Sequence, residues 1–177
     1  WNGYAIYASE KGTITLQPFS NLDSSSTVSV LDNEWMLNIM LDSDIYFNYS
    51  TEIGRRKNSI NAFDLFDTPI YPNINKEISL VMDLNDTRPF EYIRDIRSVN
   101  DKNGIWNLRL ENNTDANQLI ISGVFLNGHI PQDLVIALVN IKEKSISYDL
   151  VGSGIPLSIV SDKSNDFKLV AGDIEYV

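Results

Sequence analysis

The sequence predicts an all-β protein: an antiparallel β-sandwich, jelly-roll or immunoglobulin-like in character, built from about thirteen short strands. Three observations carry that prediction. Apolar and polar side chains alternate along several stretches, the period of a pleated strand with one wet face. Ile and Val are abundant and Ala is scarce, as a pleated surface prefers. Turn chemistry recurs at roughly 8–12-residue spacing, and no stretch reads as a long amphipathic helix.

The first strands fall at 3–8, 12–18 and 26–31, broken by Glu10-Lys11-Gly12 and closed by Asp32-Asn33. In the next, 34–41, every second residue from Trp35 through Leu37, Ile39 and Leu41 is apolar, with Asn38 and Asp42 opposite. A strand at 44–49 precedes the only long connection, residues 50–77, a candidate minor boundary within an otherwise single domain over 1–177. Strands at 78–84 and 91–97 follow. Asp101-Lys102-Asn103-Gly104 then turns the chain into 104–111, where Trp106, Leu108 and Leu110 share a face against Asn107, Arg109 and Glu111. Strands at 118–126 and 133–141 flank Asn127-Gly128, a pair suited to a tight turn. The remainder gives 145–151, 155–160, 166–171 and a short one at 174–177, with Gly152-Ser153-Gly154 as a separator.

Two strands are greasy on both faces. Leu119, Ile121 and Phe125 oppose Ile120, Val124 and Leu126, and the 133–141 segment sets Leu134, Ile136 and Leu138 against Val135, Ala137 and Val139. Such strands expect cover on both sides. Either residues 1–60 fold over them, or a neighbouring domain docks there, with Ile120, Val124, Val135 and Val139 as the docking face.

The net charge of −10 excludes several partners. Phosphate neutralisation needs clustered Lys and Arg, and the one basic run is Arg55-Arg56-Lys57, so neither nucleic acid nor an anionic membrane surface is an expected partner. No apolar run approaches the ~20 residues of a spanning helix, so membrane insertion is not expected. Without cysteine there is neither a disulfide framework nor a thiolate metal site. A chain opening on Trp1 reads as a mature or excised fragment.

The segment KNSINAFDLFDTPIYP, residues 57–72, concentrates the candidate chemistry. Asp64, Asp67 and Asn61 offer oxygen ligands for Ca²⁺, the only cofactor the sequence suggests, although EF-hand spacing is missing. The competing reading is turn chemistry, because Asp and Asn side chains bond their own backbone. Tyr46, Tyr49 and Tyr71 are the aromatic candidates for stacking on a polysaccharide, while Trp35, Phe47 and Trp106 share strand faces with aliphatic residues and read as core. His129 is the only histidine and no nucleophile motif accompanies it, so no catalytic residue is assigned. Glycoside hydrolysis would need two acids converging in a cleft, which sequence alone does not locate. Asn48, Asn85 and Asn112 open N-glycosylation triplets.

Ala62-Phe63-Asp64-Leu65-Phe66-Asp67-Thr68-Pro69, then Asp95-Ile96-Arg97, Trp106, and a terminal Phe167–Gly172 with Tyr176-Val177 carry a resemblance. Residues 50–177 resemble a β-rich module of large secreted and cell-surface bacterial proteins of the Bacteroidetes–Ignavibacteria type. That module often precedes a type IX secretion C-terminal sorting domain. The resemblance implies extracellular or cell-surface placement and an accessory role, and it transfers no catalytic residue. The expectation is therefore a non-catalytic extracellular module that docks or spaces neighbouring domains or subunits. A carbohydrate-binding module is the alternative, and a small glycoside hydrolase ranks third.

Overall fold

A computed structural model describes residues 34–43, 47–70, 78–83, 91–126, 130–158 and 163–177, with the side chains of 47–50, 83, 163 and 164 left aside. The strand predictions at 3–8, 12–18 and 26–31, and the residues Tyr46, Tyr71, Asn85 and His129, lie outside the described residues. So do the side chains of Phe47, Asn48 and Tyr49.

The protein is all-β. Its described strands are β1 (Trp35–Asp42), β2 (Phe47–Arg56), β3 (Thr68–Pro69), β4 (Ile78–Asp83), β5 (Glu91–Ser98), β6 (Gly104–Asn112), β7 (Gln118–Phe125), β8 (Val135–Asn140), β9 (Ser145–Ser147), β10 (Ile155–Ser158) and β11 (Lys163–Gly172). Alternation decides most of them. In β1 Trp35, Leu37, Ile39 and Leu41 are buried, and in β6 so are Trp106, Leu108 and Leu110. These inward rows from both halves of the chain meet in one hydrophobic cluster.

The sequence expects stacked antiparallel sheets, but the hydrogen bonds join the strands into one mixed sheet. Its order is β10-β7-β1-β2-β5-β4-β6-β11-β8-β9, with β3 added against β5. Among the described strands every pairing is antiparallel except β2 with β5, which run parallel from Glu52 opposite Arg94 to Arg56 opposite Ser98. The 50–77 stretch is therefore not a plain connection, since β2 continues to Arg56 and β3 lies within it. The crossover between β2 and β5 includes the Asp-rich turn, which sits against β5.

The sheet curls until its ends approach, giving a nearly closed barrel. The edge strands β9 and β10 are joined by a single 3₁₀ turn, Asp149–Val151. Both β7, at one end of the order, and β8, at the other, pack against that turn. Its Leu150 is 0% exposed and plugs the seam. The expected strand 145–151 thus stops at Ser147, because the chain must turn the corner here. Gly154 completes the corner at φ +77°, where an added Cβ would stand 2.8 Å from the Ile120 methyl, so a glycine is required. Residues 174–176 form a turn rather than the expected strand.

Among the described strands both edges of the sheet are poor templates for another strand. β9 has three residues and β10 carries Pro156, which has no N–H to offer.

Candidate functional site

Two arginines of the sheet flank the indole of Trp106. Trp35 meets Trp106 edge-on at 5.8 Å between centroids. Arg97 lies over the Trp106 ring at 4.5 Å and Arg55 at 5.5 Å. Such placements over an indole attract a cation electrostatically. Arg97 also grips Asp95 with two nitrogens, Nε at 3.0 Å and Nη2 at 2.8 Å, and donates Nη1 to the Ile105 carbonyl.

Arg55 is the unusual member. It follows Ile53 on the inward row of β2 and is 3% exposed. Nη1 donates to the Ser98 carbonyl at 2.7 Å and Nη2 to the Asn103 carbonyl at 2.5 Å. Nε has no hydrogen-bond partner. Burial pulls the guanidinium below its ordinary pKa, with Arg97 adding in the same direction and Asp101 and Asp95 opposing. Gly104 makes room for this group: a Cβ there would stand 2.5 Å from Arg55 Nη2 and 3.0 Å from the Trp106 ring.

The same cluster perturbs two acids. Burial raises the Asp95 carboxyl above the usual carboxylate range, against the pull of Arg97. Burial also raises Asp67, to about 6, against two backbone N–H groups that favour its charged form.

Asp64, Asp67 and Asn61 do come together in one turn, and their oxygens are occupied there. Asp67 accepts from Ile96 N through Oδ1 and from Asp64 N through Oδ2, both at 2.9 Å. Asp64 accepts from Ile60 N and Phe66 N. Asn61 accepts from Ser98 N and donates to the Asp101 carboxylate. Ser59 Oγ, 2.6 Å from both the Arg56 and Arg97 carbonyls, ties the turn's start to β5. This is the backbone-capping use of Asp and Asn. Among the described residues no group of three or more His, Cys, Asp or Glu side chains is placed to hold a metal.

The four residues of the expected docking face lie on two strands. Ile120 and Val124, on β7, are 46% and 49% exposed, which departs from the expectation of cover on both sides. Val135 and Val139, on β8, are half-buried. β7 and β8 are distant in sheet order, yet they flank the same seam.

Asn112 is not an available glycosylation acceptor. It is 0% exposed, its Nδ2 donates to the Ala116 carbonyl, and its Oδ1 accepts from both the N–H and the hydroxyl of Thr114. The triplet folds as a buried Asx turn.

Comparison with protein families, with curated proteins and with solved structures finds no match to this chain. Sequence reasoning passed over Arg55, although its place two residues after Ile53 on an inward row is a readable sign.

Proposed function

We propose that the protein is a non-catalytic extracellular or cell-surface module that docks or spaces neighbouring domains or subunits. The observation that carries this reading is the apolar surface flanking the seam. On one side stand Ile120 and Val124, with Pro156 in register beside Ile120. On the other, Val139 on β8 is in register with Ile146 on β9, which is 54% exposed. Between them the connecting turn presents Tyr148 at 57%. Exposed apolar side chains gathered on the strands that flank one seam mark an interface more readily than singly scattered ones do. Placement outside the cell, and bacterial origin, rest on the resemblance of residues 50–177. A jelly-roll or immunoglobulin-like sandwich belongs to the same proposal, as a sheet curled until its halves face each other across one core.

Hydroxyl-radical footprinting tests the docking role. In the purified chain Ile120, Val124, Ile146 and Tyr148 should label readily. In the intact cell-surface assembly the same residues should be protected while Leu65, fully exposed on the Asp-rich turn, labels unchanged. Equal labelling in both states would end the reading.

A further inference from the structure

At the Trp35–Arg55 end of the core a cleft of about 690 Å³ opens, within the size range of ligand pockets. Its floor is Trp35 and Arg55, and Pro131 and Leu134 form apolar wall. Four acids line it as well, Asp101, Asp133, Asp173 and Glu175, with Lys102 and Arg55 as the cations among its described lining residues.

We propose that this cleft receives the C-terminal end of a basic peptide, with its free carboxylate toward Arg55, its last apolar side chain on Leu134 and its preceding Lys or Arg residues among the four acids. Two independent features converge on this ligand. Among the described residues no carboxylate lies within the 4.0 Å of an ion pair with Arg55, and its Nε is unpartnered in a 3% exposed side chain. Asp101 and Asp95 act on this guanidinium only from beyond ion-pair distance, so a carboxylate arriving in direct contact with it, away from bulk water, gains more than it would at the surface. The acids around the cleft then repel a bare anion and admit one that carries positive charge behind it. Charge complementarity of this kind selects partners and speeds their encounter. These acids are not part of the seam surface, so the inference goes beyond the docking role and can fail or hold separately from it.

Fluorescence anisotropy supplies the test, with a labelled synthetic peptide ending Arg-Lys-Leu. Three forms are compared: the free acid, its C-terminal amide, and a free acid with Ser in place of both basic residues. The free acid of the basic peptide should bind, and the other two should each bind at least about tenfold more weakly. Asp133→Asn with Glu175→Gln, at two exposed positions, should weaken the basic free acid while preserving the acid-to-amide ratio. Arg55→Gln, which removes the charge and is checked for folding by circular dichroism, should bring that ratio toward one. Equal binding of acid and amide, indifference to the double substitution, or no binding of the free acid at millimolar peptide would each overturn the proposal.

Discussion

The Arg97 guanidinium stands 4.5 Å from the centre of the Trp106 ring while one of its nitrogens holds Asp95 at 2.8 Å. One side chain therefore answers two demands: it neutralises a carboxylate that is 2% exposed, and it covers one face of the largest core residue. Neither neighbour alone accounts for an arginine at this point in β5.

Arg97→Ala should consequently cost about 3–5 kcal/mol, the penalty for leaving a buried charge without its partner. Arg97→Lys should recover only part of that loss, since an ammonium lacks the planar fork. Replacing both members, Arg97→Met with Asp95→Leu, should return stability to within about 1–2 kcal/mol of the parent. Urea denaturation of the four proteins measures all of this. A single Arg97→Ala as stable as the parent would show that Asp95 needs no counter-ion.

Asp67 makes stability depend on pH. Its folded pKa, about 6, lies above the ordinary value of 3.8, so the native state keeps a proton that the unfolded chain releases. The contribution is complete below about pH 4 and is lost as pH rises through 6, by up to about 3 kcal/mol. Asp95 is shifted in the same direction and adds to the slope. Asp67→Asn should flatten the slope between pH 4 and 6. It should also lower stability overall, because an amide nitrogen would then face the Asp64 or Ile96 N–H. Since the side-chain oxygens of Asp64, Asp67 and Asn61 each already accept from a backbone N–H, Ca²⁺ or chelator should leave the melting midpoint unchanged.

Much of this architecture was legible in the residues. The inward rows of β1 and β6 followed from strict alternation, because side chains two apart must share a face. Closure was not legible. Nothing in alternation tells a strand which neighbour it pairs with, so the parallel meeting of β2 and β5 across residues 57–90 left no local mark. The predicted 145–151 strand carries Ile146, Tyr148 and Leu150 in alternation, yet Leu150 is turned inward by a 3₁₀ corner. The Asp-rich turn read first as a backbone cap and second as a metal site, since both use carboxylate oxygens in a loop, and the Asp67 carboxylate accepts from Ile96 N and Asp64 N.

Asn112 offers a sharper test of local sequence against fold. Its triplet matches the glycosylation pattern, but the amide is consumed within the bonds to Thr114 and Ala116. Expression in a eukaryotic secretory host should leave Asn112 unmodified by intact-mass and peptide mapping. Asn112→Ala should cost about 1–3 kcal/mol, the price of buried groups left unsatisfied.

Leu150 should govern how firmly the barrel closes. It is the one buried residue of the turn that joins the two sheet edges, and its Cγ lies 3.4 Å from where a Cβ on Gly123 would be. Leu150→Ala should cost about 2–5 kcal/mol, because the cavity opens at a seam held by side chains rather than by strand pairing. The loss should also be local. Among the described strands β10 is paired only with β7, through four residues, and β9 only with β8, through three. Amide exchange in Leu150→Ala should therefore accelerate in β9 and β10 well before it does in β6, which is paired on both sides by β4 and β11. Uniform acceleration across all strands would mean that the seam is not a separate unit and that the sheet opens only as a whole.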